Sequence, residues 1–161
     1  MPTPINVRDA LVTVIESITN IGKVYPTNKY AADWAHFNDI FSVNIGGNKQ
    51  IRGWWLSPPT VTGSSRGDTF DAHWRTYTFT VRGVQSYKDS LDTETTFTLN
   101  VYAVFDLISR QGTLGQPDVI DGSIEVRVPL IAFRMFGSTL CHYAEITVDV
   151  GVNDPVNWVR P

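Results

Sequence analysis

The stretch TGSSRGDTFDAHW, residues 62–74, holds residue types that two kinds of chemistry use. Gly63-Ser64-Ser65-Arg66-Gly67 matches the G-x-S-x-G pattern, in which a serine on a sharp strand-to-helix turn becomes a nucleophile. Arg66-Gly67-Asp68 spells a tripeptide that some cell-surface receptors bind. The nucleophile elbow needs a strand just before Gly63 and a helix just after Gly67. Here Pro58-Pro59 stops the preceding strand early, and DTFDAHW leads into another strand. Ser65 is therefore expected to be no nucleophile. Receptor recognition needs an extracellular setting, which nothing in the chain supports.

The remaining reactive side chains do not assemble into a centre either. His36 falls on a helix, His73 at a strand start and His142 on the last strand, and no pair has the i, i+4 spacing of a helical metal site. His142 shares a strand face with Ala144 and Ile146, which predicts a hydrogen-bonded, partly buried imidazole. Cys141 beside it predicts inert packing, because a lone cysteine on an apolar strand has nothing to activate it. Asp89, Asp92 and Glu94 precede a helix, where capping explains them, and Asp118 and Asp121 sit in a loop. IGGNKQ has glycines and a lysine without the spacing of a phosphate loop. No catalytic residue, metal or cofactor is expected, and the chain reads as a non-enzyme.

Composition narrows the classes further. A chain of 161 residues makes one domain, 1–161, that buries about two-thirds of its surface on folding. Its net charge of −3 argues against a protein that binds nucleic acid by neutralising phosphates. One cysteine excludes an internal disulfide, and no apolar run approaches the length of a membrane span. MPTPINVRDAL lacks the charged start and apolar core of a signal peptide. These features predict a soluble protein made in a cytoplasm.

The elements follow from periodicity. Residues 6–21 carry Val7, Leu11, Val14, Ile15 and Ile18 at helical spacing, with Asn6 as cap and Gly22 as stop. GKVYPT reads as a short strand. Residues 30–43 form a second helix with Trp34, Phe37 and Phe41 on one face, NIGGNKQ turns, and IRGWWLSPP returns as a strand. Residues 57–72 are read as a mobile loop. In 73–84, Tyr77, Phe79 and Val81 alternate with threonines, a half-buried strand. Residues 93–109 form a third helix capped by Asp92, and RQGTLGQPDVIDG leads to two last strands, SIEVRVPLIAFRMFG and LCHYAEITVDVGV, with an extended tail at 152–161. The expected class is α+β, helices on a mostly antiparallel sheet, in the order α-β-α-β-β-α-β-β. The long strands leave sheet edges with few blockers: Pro129 interrupts one, and lysines are absent from 73–84, 123–136 and 142–152.

Trp54-Trp55 point to opposite faces of their strand, so one can fill the core while the other, with Trp74 and Trp158, needs a second layer or a partner. An N-terminal helix, GKVYPTNKY, a Trp/Phe-rich helix and IRGWWLS together resemble the tail terminator, or tail completion, proteins of long-tailed bacteriophages and prophages. HWRTYTFTVRGVQSYKDSLDTETTF leading into a helix, and the closing LCHYAEITVDV, extend that resemblance over residues 6–151.

The resemblance implies a structural virion protein that assembles as a ring, often a hexamer, on the head-proximal end of the tail. Such a ring stops polymerisation of the tail tube protein and offers a docking surface to a head-side connector or neck protein. DNA passes through the lumen without sequence-specific binding, and no membrane is involved. The subunit or partner interface is expected to draw on Trp54, Trp55 and Trp74, with Ser64, Arg66 and Asp68 from the loop at the rim or lumen. Two other classes stay open: another neck or minor tail protein, and a small α+β enzyme or ligand-binding module.

Overall fold

The computed structural model describes residues 3–29, 33–65 and 73–154. Helix α1 (Pro4–Glu16) begins where Thr3 caps it and Pro4 sets the φ of the first turn; Thr3 Oγ1 accepts the Asn6 N–H at 3.4 Å. Asn6 thus lies inside the helix, and the helix ends at Ser17 rather than continuing to 21. Strand β1 (Lys23–Tyr25) follows. Helix α2 (Trp34–Phe41) begins at Asp33, whose side chain accepts the His36 N–H at 2.9 Å. It stops at Phe41 because the chain turns directly into strand β2 (Ser42–Ile45), residues for which the sequence predicts helix and turn. Gly46 and Gly47, with φ of 59° and 79°, make the two-residue hairpin from β2 into β3 (Asn48–Leu56), a turn that needs positive φ at both positions.

Within 57–72, expected to be a mobile loop, Thr60–Ser65 form a strand. Leu56 pairs with Val81, the Ser57 N–H donates to the Thr80 carbonyl at 2.9 Å, and Thr60 pairs with Thr78. Ser57, Pro58 and Pro59 therefore form a bulge opposite Phe79 and Thr80, and the chain resumes as β4 (Thr60–Ser65) along β5 (His73–Ser86). The prolines remove two N–H donors, and the register shifts by one residue across the bulge. Residues 66–72, and with them Arg66 and Asp68, lie outside the described residues.

A 3-10 turn, Asp89–Leu91, leads to helix α3 (Thr93–Ser109), then β6 (Val119–Phe136) and β7 (Thr139–Asp154) complete the sheet. Asp92 occupies the cap position but makes no side-chain capping bond. Its φ of 46° is left-handed, whereas a capping side chain reaches the first-turn amides from extended backbone. The observed order is α-β-α-β-β-β-β-α-β-β, two strands more than expected, within the expected α+β class. Asp121 belongs to β6 rather than to a loop, and the last strand runs to Asp154, so the tail beyond the described residues starts at 155.

Seven strands form one mostly antiparallel sheet, ordered β1-β3-β5-β7-β6, with β2 on β3 and β4 on β5; only β1–β3 is parallel. Helices cover both faces. On one, Val7, Leu11 and Ile15 of α1 and Phe97, Val101, Val104 and Ile108 of α3 pack on Trp54, Leu56, Phe79, Val81, Ile146 and Val148. On the other, Phe37 and Phe41 of α2 pack on Ile51, Val84 and Cys141. Two glycines make room for these layers. A Cβ at Gly83 would stand 2.6 Å from the Trp54 indole, and one at Gly53 would stand 2.4 Å from the Phe41 ring.

Candidate functional site

The tryptophans that sequence grouped together separate in the fold. Trp54 is 1% exposed, stacked on Phe97 with centroids 6.1 Å apart, and belongs wholly to the subunit's own core. It cannot present its ring to a neighbour and drops out as an interface residue. Trp55, on the opposite face, is half-buried and packs at 5.2 Å from Phe41 and 6.5 Å from Tyr143. Trp74 lies farther along the same face as Trp55, because it and Arg82 are both at even positions of β5 and Arg82 pairs with Trp55. It is 37% exposed. Ser64 pairs with Trp74 across the β4–β5 ladder. Of the six interface candidates, the structure brings Trp55, Trp74 and the Ser64 backbone to one sheet face.

The outer half of that face is polar and lies beyond the α2 cluster. Thr60, Thr62, Thr76, Thr78, Thr80 and Thr147 share it with the ion pair Arg127–Asp149, and Thr78 Oγ1 donates to Asp149 at 2.5 Å. Nearer Trp55, Tyr143 donates to Glu145 Oε1 at 2.6 Å and Arg82 Nε donates to the same oxygen at 3.1 Å. The Tyr143 hydrogen bond, assisted by Arg82, holds the Glu145 carboxyl below the usual range, although burial acts the other way. Burial and then the bond to Glu145 push the Tyr143 phenol up to about 12. Arg134 lies over the Tyr143 ring at 4.0 Å. Arg82, Tyr143, Glu145 and Arg134 thus each already serve a neighbour, as in a structural network.

The groups that could have been catalytic are also engaged. Gly63–Ser65 lie within β4, paired with Arg75, Trp74 and His73, and not at a strand-to-helix turn. Cys141 is buried, and desolvation pushes its thiol up to about 12. Because only the thiolate alkylates, native protein at pH 8 is expected to leave Cys141 unmodified by iodoacetamide over hours, while urea-unfolded protein reacts fully. Intact mass spectrometry reads both states; rapid native modification would contradict the packing.

His142 is 3% exposed and pairs through Nε2 with Thr93 Oγ1 at 3.0 Å, within a cage of Phe97, Phe133 and Tyr87. Burial lowers its pKa below the ordinary 6.5, partly opposed by the Glu94 carboxylate. The unfolded chain therefore takes up a proton before the folded one does. His142 is expected to leave stability intact above about pH 6.5 and to erode it as pH falls from there through the lowered folded value, below which the loss levels off. Urea midpoints between pH 8 and 5 should fall, and the imidazole's share of that fall should vanish in His142→Phe; an unchanged slope would assign it to other groups.

Two shallow depressions flank Trp34. One of about 260 Å³ is lined by Asn38, Lys49, Gln50, Ile51, Ser86 and Thr139, and one of about 280 Å³ by Asp33, Phe37, Phe136 and Gly137. In the first, Ser86 Oγ accepts the Ile51 N–H at 3.2 Å, so its role is to brace backbone. Among the described residues no three metal-ligating side chains gather, and no helix is long and apolar enough to cross a membrane.

One apolar surface is not among the sequence-based expectations. On the α3 side of the sheet, past the end of the helix layer, Ile131, Phe133 and Met135 of β6 stand beside Leu140 and Tyr87, with exposures of 45%, 50%, 61%, 38% and 36%. Their common face follows from register: Ile131 pairs with Ala144, Phe133 with His142 and Met135 with Leu140. The signal was present. After Pro129, PLIAFRMF is apolar at alternate positions of both phases, which an edge strand with one solvated face does not need.

The arrangement is that of an α+β protein with a seven-stranded, mostly antiparallel sheet and an 18-residue edge strand, β6. No known protein-family model matches the chain, and no curated protein sequence matches it.

Proposed function

We propose that this chain is a structural virion subunit: a phage tail terminator that closes into a ring of about six copies on the head-proximal end of the tail tube. The observation that carries the reading is the open edge at β6. The strand runs from Val119 to Phe136 at the end of the strand order, pairs only with β7 among the described residues, and adjoins the exposed apolar strip. Proline at 129, where the β6–β7 register shifts between Arg127 and Leu130, is its main blunting device. An isolated subunit with such an edge is prone to pair indefinitely, and a closed ring covers edges and apolar surface with head-to-tail contacts that end on themselves. The resemblance over residues 6–151 supplies the particular role: halting tube growth and docking a head-side connector. A net charge of −3 is compatible with a lumen through which DNA slides.

Light scattering on the chromatographed protein is the test. A particle of about six times the 18.0 kDa chain is expected, and added tail tubes should carry it at one end in negative-stain images. A monomer throughout the micromolar range that leaves tube ends bare would refute the reading.

A further inference from the structure

The apolar strip has no cover within the described chain. Ile131, Phe133, Met135 and Leu140 project on the helix side of the sheet, and Tyr87 closes one border with its ring 5.9 Å from Phe133. Asp92 and Glu94 are both exposed at the start of α3, and Glu94 is near enough to His142 to raise that imidazole's pKa. The surface is thus an apolar strip with a carboxylate border.

Residues 155–161, PVNWVRP, lie outside the described residues and contain Val156, Trp158 and Val159 followed by Arg160. A bulky aromatic flanked by valines, with a cation two positions on, matches an apolar strip bordered by carboxylates.

The segment cannot serve the strip of its own subunit. β7 ends at Asp154, opposite His73, whereas the strip pairs with Leu140, His142 and Ala144 at the other end of the strand. Ten residues of strand separate Ala144 from Asp154, about 33 Å at roughly 3.3 Å each. Trp158 is four residues past Asp154, so the extended chain carries it at most about 14 Å, and an indole adds only about 6 Å.

We propose that the strip of one subunit receives the Val156–Val159 segment of an adjacent copy, with Trp158 against Phe133 and Met135 and Arg160 beside Asp92 or Glu94. Donor and acceptor lie at opposite ends of the long β6–β7 ribbon, so the contact is head-to-tail and propagates round a ring. This inference rests on the ring reading given above, and adds which segment joins the copies.

The test is a Met135→Cys, Trp158→Cys double variant, mildly oxidised at a concentration where light scattering has first fixed its mass. Cys141 is buried and serves as an internal silent thiol. The expected result is a ladder of disulfide-linked chains on a non-reducing gel, ending at the ring number, collapsed by reduction and absent from either single variant. A ring of full mass with no ladder overturns the tail contact and leaves the ring intact. Disulfide closure within single chains also overturns it, showing that the segment folds onto its own subunit. A monomeric mass of the wild-type protein throughout the micromolar range overturns the ring reading and the tail contact together. In a second measurement, Met135→Asp and Trp158→Ser should each weaken association at least tenfold without changing the urea midpoint of the subunit, because Met135 is exposed and the proposed seat of Trp158 is on a neighbouring copy. Association unchanged in both variants overturns the proposal.

Discussion

Replacing Trp54 by alanine is expected to cost this fold about 4 kcal/mol, the range for deleting a fully buried indole. The ring spans the middle of the sheet on the α1/α3 side, stacked on Phe97 and lying over Gly83, so the neighbours on both sides were shaped around it. The surrounding Leu56, Val81 and Ala144 are held by strand pairing and cannot collapse into the space. Gly83→Val probes the same contact from below. Its side chain would have to enter the space that already holds the indole, and should destabilise by about 2 kcal/mol or more through overpacking. Because the two sites touch, the combined Trp54→Ala, Gly83→Val chain should be more stable than the sum of the single losses implies, a positive coupling readable in urea midpoints. Strict additivity would mean that Trp54 does not rest on Gly83.

A charge at Trp74 should act on assembly and leave the fold alone. Trp74 is on the β5 face opposite the α1/α3 core, and its exposure leaves a carboxylate access to water in the free subunit. Under the proposed ring, an aspartate there would have to be desolvated at each contact. At about 3 kcal/mol per contact, subunit affinity would fall more than a hundredfold. Trp74→Asp protein is therefore expected to show the wild-type circular dichroism and urea midpoint, elute as a monomer at micromolar concentration and fail to cap tubes. Trp54→Asp makes the contrast: a charge in the core should abolish folding altogether. A Trp74→Asp protein that keeps the full ring mass would remove Trp74 from the interface.

Sequence by itself determined the parts of this protein in which burial is one-sided. The helical spacing of Val7, Leu11 and Ile15, the alternation of Tyr77, Phe79 and Val81 with threonines, and the α+β class all follow from which face must leave water, and the structure keeps them. The inert settings of Cys141 and His142 were legible for the same reason: their strand neighbours are core residues. Tertiary pairing decided the rest. β4 has no hydrophobic pattern, since Thr60, Val61, Thr62 and Gly63 are all exposed, and it is a strand only because β5 offers it a ladder of hydrogen bonds. The choice between Trp54 and Trp55 for the core was equally invisible, because adjacent strand residues with the same side chain are interchangeable by pattern. Gly83 settles it: on the face that Trp54 shares with β5 there is no side chain to exclude the indole, whereas Trp55 stands opposite Arg82. Which side chain a sheet swallows depends on the space that a partner strand leaves, and that partner lies far away in sequence.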